Sequence, residues 1–216
     1  MRNPSTYAPA SDEGFSLAEL LVAVSVLVVV IGAAMMVMTA VNVTTDRLFA
    51  IAAANTAGSN TLETIAADVR RAWNPTDGPR YAFRTRTANQ CTFYLGGDAD
   101  GKVYLVTYQA SADATGGTYS VVRTLAATST AIRASTIASN TAFTTTSTKT
   151  VGKGLTSNSL FTYFQQAAGL PQATTTGPPS SVQITVANKA KVGSVTALSS
   201  NTSLIQVRTL YIYTLQ

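Results

Sequence analysis

The sequence predicts an α+β protein: one long N-terminal α-helix, transmembrane in its first half, packed on an antiparallel β-sheet domain. Three observations predict it. The run from Phe15 to Val41 contains only Ser16, Glu19, Ser25 and Thr39 as polar side chains. Helical spacing of apolar and small residues then continues to Trp73. From Tyr81 onward the pattern changes to short alternating segments divided by turn-rich loops. One helix followed by consecutive strands is an α+β order, not the alternating order of a parallel sheet.

The first half of the helix is long enough to cross a bilayer. Leu20 to Met38 carries no charge, and a membrane helix needs ~20 apolar residues. The β-branched stretch "VSVLVVVIG" suits a lone aqueous helix poorly. In lipid the backbone must satisfy its own hydrogen bonds, so helix prevails. Glu19 is the anomaly, because a carboxylate inside such a run needs a partner.

Beyond Val41 the chain is more polar but keeps its period. Leu48, Ile51, Asn55, Gly58, Leu62, Ile65, Val69 and Ala72 or Trp73 follow three- and four-residue steps, which predicts one stripe facing the domain. Pro75 and Pro79 in "NPTDGP" stop the helix. The helix is expected from Phe15 to Trp73, roughly 90 Å at ~1.5 Å per residue. Gly32 and "NTAGSN" are candidate soft points; alternatively, Gly58 allows close packing against the domain.

Strands are expected at "YAFRTRT", "CTFYL", "KVYLVTYQ", "YSVVRTLA", "LFTYFQQAAG", "SVQITVANKAKV" and "SLIQVRTLYIYTL", the second and third forming a hairpin. Ala126 to Ser159, rich in Ser, Thr and Ala, reads as long loops with short strands. "GLPQATTTGPPSS" reads as a loop.

Composition narrows the chemistry. Only 12% of the 216 residues are charged, against about 25% in a typical soluble domain. A surface of hydroxyls and amides suits an exported protein. The chain has no histidine, which removes the usual base near neutral pH and the usual metal ligand. Cys91 is the single cysteine, so no intrachain disulfide forms; its place in "CTFYL" predicts a buried thiol. No nucleophile–base pair, phosphate loop or metal-ligand spacing occurs, so an enzyme is not expected and no cofactor is implied. Asp98 and Asp100 in "GGDADGK" fall short of a calcium loop, which needs further ligands and a distal Glu.

Charge is unevenly distributed. After Asp113 there is no acidic residue, while Arg123, Arg133, Lys149, Lys153, Lys189, Lys191 and Arg208 all lie in that part. Gathered on one face they would attract an anion such as DNA, lipopolysaccharide or teichoic acid. Dispersed, they make a mildly basic solvated surface.

The N-terminal segment admits three readings. A cleaved secretory signal has a basic leader and an apolar core of about 7–15 residues; here Asp12 and Glu13 follow Arg2, and the core is longer. A signal anchor explains the length but not Glu19. A cut at the front edge, after Gly14, explains both. "GFSLAELLVAVSVLVVVIG" resembles the class III signal of type IV pilins and type II secretion pseudopilins. Gly14 matches the residue before the cut, Phe15 the new N-terminal residue and Glu19 the fifth-position carboxylate. The acidic leader departs from the family's often basic ones. The later part is loosely similar to PilW-like minor pilins and J-class pseudopilins.

The resemblance implies a pilin-like organisation: a leader over 1–14 that is removed, a transmembrane and filament-core helix over 15–41, an amphipathic extension over 42–73 and an extracytoplasmic β-rich domain over 74–216. It implies prepilin peptidase cleaving between Gly14 and Phe15 and methylating the freed amine of Phe15. It also implies that Glu19 pairs with such an amine, commonly a neighbour's, during assembly. The implied partners are other pilin or pseudopilin subunits, the assembly platform and ATPase, and membrane lipids before assembly. The implied location is the cytoplasmic membrane, then a filament, with tip placement an option for a minor subunit. Two other readings stand beside this one: a DNA-binding subunit of a competence pilus, and a membrane-anchored surface domain that never polymerises.

Overall fold

A computed structural model describes residues 16–73, 82–96, 101–114, 116–129, 131, 137, 141–167, 170–173 and 179–206. The fold is the α+β arrangement the sequence predicts. Helix α1 spans Leu17–Arg70 and is followed by nine strands among the described residues. The chain divides into two compact units, Met1–Thr45 and Asp46–Gln216.

The first unit is the apolar half of α1. Its side chains from Ser16 to Thr45 are all exposed, and α1 is long and apolar enough to cross a membrane. Three hydroxyls within it are satisfied by the helix itself. Ser25, Thr39 and Thr44 donate to the carbonyls of Leu21, Met35 and Ala40, four residues back, at 2.8–2.9 Å. That local bond is what makes such a hydroxyl tolerable in hydrocarbon.

The second unit packs the remainder of α1 on an antiparallel sheet. The strands are β1 (Phe83–Arg86), β2 (Gln90–Leu95), β3 (Tyr104–Ala112), β4 (Tyr119–Ala127), β5 (Thr144–Leu155), β6 (Phe161–Ala167), β7 (Leu170–Ala173), β8 (Ser181–Val192) and β9 (Val195–Gln206). Their order is β1-β2-β3-β4-β5-β8-β6-β7, with β9 on the other edge of β8. β5 meets β8 only at Leu155 and Asn188, whereas β8 and β9 pair along their whole length. The β2–β3 hairpin forms as expected, in register from Gln90↔Gln109 to Leu95↔Tyr104.

Three expectations about the strands change. Ala126 to Ser159 was to hold loops and short strands, yet it contains the 12-residue β5. Thr144 to Thr150 are exposed throughout, so no hydropathy alternation marks them. Their β-branched side chains and pairing with β4 hold the strand. The "GLPQATTTGPPSS" loop contains the short β7. Residues 207–215 of the last expected strand lie outside the described residues, and β9 instead begins early, at Val195.

The core lies between α1 and one sheet face. Cys91, Phe93 and Leu95 of β2, Val106 and Tyr108 of β3, and Val182, Ile184 and Val186 of β8 pack there with Ile65 and Val69. Full burial of Ile65 alone contributes roughly 1.5–3 kcal/mol. Tyr94 and Val103 turn to the opposite face, where Trp73 and Phe143 help cover them.

The stripe of α1 that docks differs from the expected one at its beginning. Ala50, Ala54, Gly58, Thr61, Ile65, Asp68 and Val69 are buried, while Leu48 is exposed and so is Asn55. The reason is close approach. A Cβ on Gly58 would overlap the Asn201 amide and lie 3.2 Å from that of Asn188. One on Gly152 of β5 would lie 2.7 Å from the Thr61 methyl. Small residues let the sheet come this near, and large ones would hold it off. α1 runs unbroken through Gly32 and "NTAGSN", so Gly58 serves close packing.

Candidate functional site

At the start of α1, Ser16 and Glu19 form a reciprocal pair. The Glu19 backbone N–H donates to Ser16 Oγ at 3.2 Å, and the Ser16 backbone N–H donates to a Glu19 carboxylate oxygen at 3.3 Å. This is a capping box, which satisfies two of the amide groups left free at a helix start. The carboxylate also sits where the helix dipole favours negative charge. The sequence signal was available: Ser three residues before Glu, directly ahead of an apolar run. Glu19 therefore has a partner within its own chain. Gly14 and Phe15, the expected cleavage and methylation residues, lie outside the described residues.

The docked half of α1 is joined to the sheet by a polar cluster that the sequence reading missed. The Asp68 carboxylate accepts from Tyr108 Oη at 2.7 Å and from Arg123 Nε at 2.6 Å. The Arg123 and Asp68 side chains are 21% and 12% exposed, so water screens this pair less than a surface one. Burial, then the hydrogen bond and charge of Asp68, push the Tyr108 hydroxyl well above its ordinary range. Burial works against the Arg123 charge, but Asp68 outweighs it and holds the guanidinium above its ordinary value. The signal in the sequence was an acid on the buried stripe itself, three residues after Ile65 and four before Ala72.

A second polar seam lies between α1 and the β8–β9 ribbon. Ser199 Oγ bonds Asn55 Oδ1, and Asn201 Nδ2 donates to the Asn55 carbonyl at 3.4 Å. Asn188 is buried beside them, its side-chain amide without a protein partner.

Arg123 is held by Asp68, and its Cα partner Lys149 is exposed on β5. Lys153 is exposed on β5, and Lys189 and Lys191 are exposed on β8. Arg133 and Arg208 lie outside the described residues, as do Asp98 and Asp100. Cys91 is fully buried, and that burial pushes its thiol up to about 12, against a smaller opposing effect of its Tyr163 contact. Among the described residues, no group of three or more His, Cys, Asp or Glu is placed to hold a metal.

The arrangement is a bare apolar helix compatible with a membrane anchor, a capped acidic start and a sheet locked to the helix's second half. The chain matches no protein-family model, no curated protein and no solved structure.

Proposed function

We propose that this chain is a minor pilin or pseudopilin, a structural subunit of a type IV pilus or type II secretion pseudopilus. The observation that carries the reading is the division of one helix into a bare half and a docked half. Every described side chain up to Thr45 is exposed, and the buried stripe begins at Ala50. An apolar helix face left bare over that length requires lipid or other subunits to cover it. The spacing of Gly14, Phe15 and Glu19 supports the same reading. In it, the precursor is held in the membrane by α1, cut after Gly14 and built into a filament through the helix. The sheet unit faces outward.

Intact-mass analysis of the chain from cells with an active prepilin peptidase tests this. The expected mass lacks residues 1–14 and carries one added methyl on Phe15. A mass that retains the leader in such cells sinks the proposal.

The capping box favours a second reading, an anchored surface domain that never polymerises, because Glu19 needs no neighbour to be satisfied. The variant Glu19→Gln separates the two. Glutamine can still complete a capping box but cannot form an ion pair with an amine. A filament subunit should be processed normally yet lose about tenfold or more in incorporation, equivalent to ~1.4 kcal/mol. Wild-type incorporation of Glu19→Gln would remove the ion pair from the assembly mechanism.

A further inference from the structure

The β8–β9 ribbon extends past the rest of the sheet. β6 covers β8 over Ser181 to Ile184, and β5 reaches it only at Asn188. From Lys189 to Leu198 the ribbon is a two-stranded arm whose strands pair only with each other among the described residues. Its turn is made by Gly193 and Ser194, with Gly193 at φ +58°, a conformation that favours glycine. The turn rests on α1: a Cβ on Gly193 would lie 2.5 Å from the Asp46 carboxylate. The arm thus ends against the first residue of the second unit, three residues along the chain from Val43, where the apolar run has given way to polar residues.

The exposed side chains at this end have a consistent character. Lys189 and Lys191 share one face of β8, opposite the buried Val186 and Asn188, and the Cα partner of Lys189 is Leu198, 69% exposed. On α1, Arg47 is exposed, and Leu48 and Phe49 are more than 60% exposed although neither belongs to the apolar run. Asp46 is the one acid here, set against three cations, and β5, β8 and β9 contain no acid at all. Exposed cations together with exposed aromatic and aliphatic side chains are the composition of a bilayer interface, where the apolar groups enter the headgroup boundary and the cations meet anionic lipid.

We infer that this end of the second unit, built from Arg47, Leu48, Phe49, Lys189, Lys191 and Leu198, docks on anionic phospholipid headgroups before the subunit is assembled. The inference rests on the reading of the apolar half of α1 as a membrane anchor. Its consequence is orientation. A unit tethered by a single helix is free to tilt, whereas one with a second, lipid-bound point near the tether is held in a fixed pose.

The test uses the full chain reconstituted in vesicles, with a fluorophore on Ser194→Cys. Cys91 is fully buried and does not compete for the label. Brominated lipids quench the fluorophore when the turn lies at the headgroup boundary. We expect strong quenching in phosphatidylglycerol-containing vesicles and little in pure phosphatidylcholine. The effect should fade as salt shortens the Debye length to about 3 Å. A cation near an anionic surface contributes about 1 kcal/mol, close to fivefold, so Lys189→Gln with Lys191→Gln should weaken docking roughly 30-fold. Equal quenching in the two lipids, unchanged by the double variant, overturns the inference while leaving the anchor intact. Quenching that follows the protein-to-lipid ratio and not lipid charge assigns the surface to a second copy and overturns it too. A chain that fails to float with the vesicles removes the anchor reading and this inference together.

Discussion

Asp68→Ala is expected to cost the second unit about 3 kcal/mol, since removing one partner of a buried ion pair strands the other. Arg123 would remain mostly buried with its Nε unpaired, and Tyr108, itself fully buried, would lose its 2.7 Å acceptor. Two controls divide the effect. Tyr108→Phe removes only the hydroxyl and should cost about 1 kcal/mol. Asp68→Asn keeps an acceptor but no charge and should fall between the two. The measurement is urea unfolding of the detergent-solubilised chain, followed by near-ultraviolet circular dichroism of the core tyrosines. A cost for Asp68→Ala no greater than that of Tyr108→Phe would show that the ion pair does not hold the helix to the sheet.

The second large effect is alkaline. Burial raises the Cys91 thiol from 9.0 to about 12 in the folded chain. A raised folded pKa on a group that ionises to an anion means the unfolded chain loses its proton first. The stability linked to this thiol is therefore fully present below about pH 9 and is lost as pH rises towards 12. The slope is about 1.4 kcal/mol per pH unit for one such group. Tyr108 and Tyr163, both pushed up chiefly by burial, add to the loss above their ordinary value of 10.0. Stability should be flat from neutral pH to about 9 and then fall steeply. Cys91→Ala should delay the fall to the tyrosine range. An identical profile in that variant would remove the thiol from the account.

Much of this architecture was legible because it follows from periodicity. The expected helix, Phe15 to Trp73, and the observed one, Leu17 to Arg70, differ by a few residues at each end, as helix limits commonly do. The burial of Cys91 followed from the apolar strand around it. The stripe on α1 was harder, because two stripes overlap there. One runs through Leu48, Ile51 and Asn55, the other through Ala50 and Ala54, and they share Gly58, Ile65 and Val69. Hydrophobicity favours the first. The sheet selects the second, because the ribbon presents amides to the helix and comes too close for large side chains. β5 was hidden for a related reason: backbone pairing sustains it, and its exposed threonines leave no apolar rhythm. At the helix start, the Gly14–Phe15–Glu19 spacing suggests an amine as the partner of Glu19, whereas the partner within the helix is Ser16, three residues before it.

The Asn55 seam has a consequence for synthesis. Asn55 is bonded by Ser199 and Asn201, 144 and 146 residues later in the chain. The stretch of α1 around Ala50, Ala54 and Gly58 thus has no ribbon to receive it until synthesis has passed Asn201. At about 5–20 residues per second, that interval is on the order of 10 s. During it the nascent chain carries an undocked helix face, and β1 to β4, which end at Ala127, are made well before the ribbon. The β8–β9 hairpin closes the fold onto α1, so a chain interrupted before Val195 would have strands and a helix but no lock between β9 and Asn55.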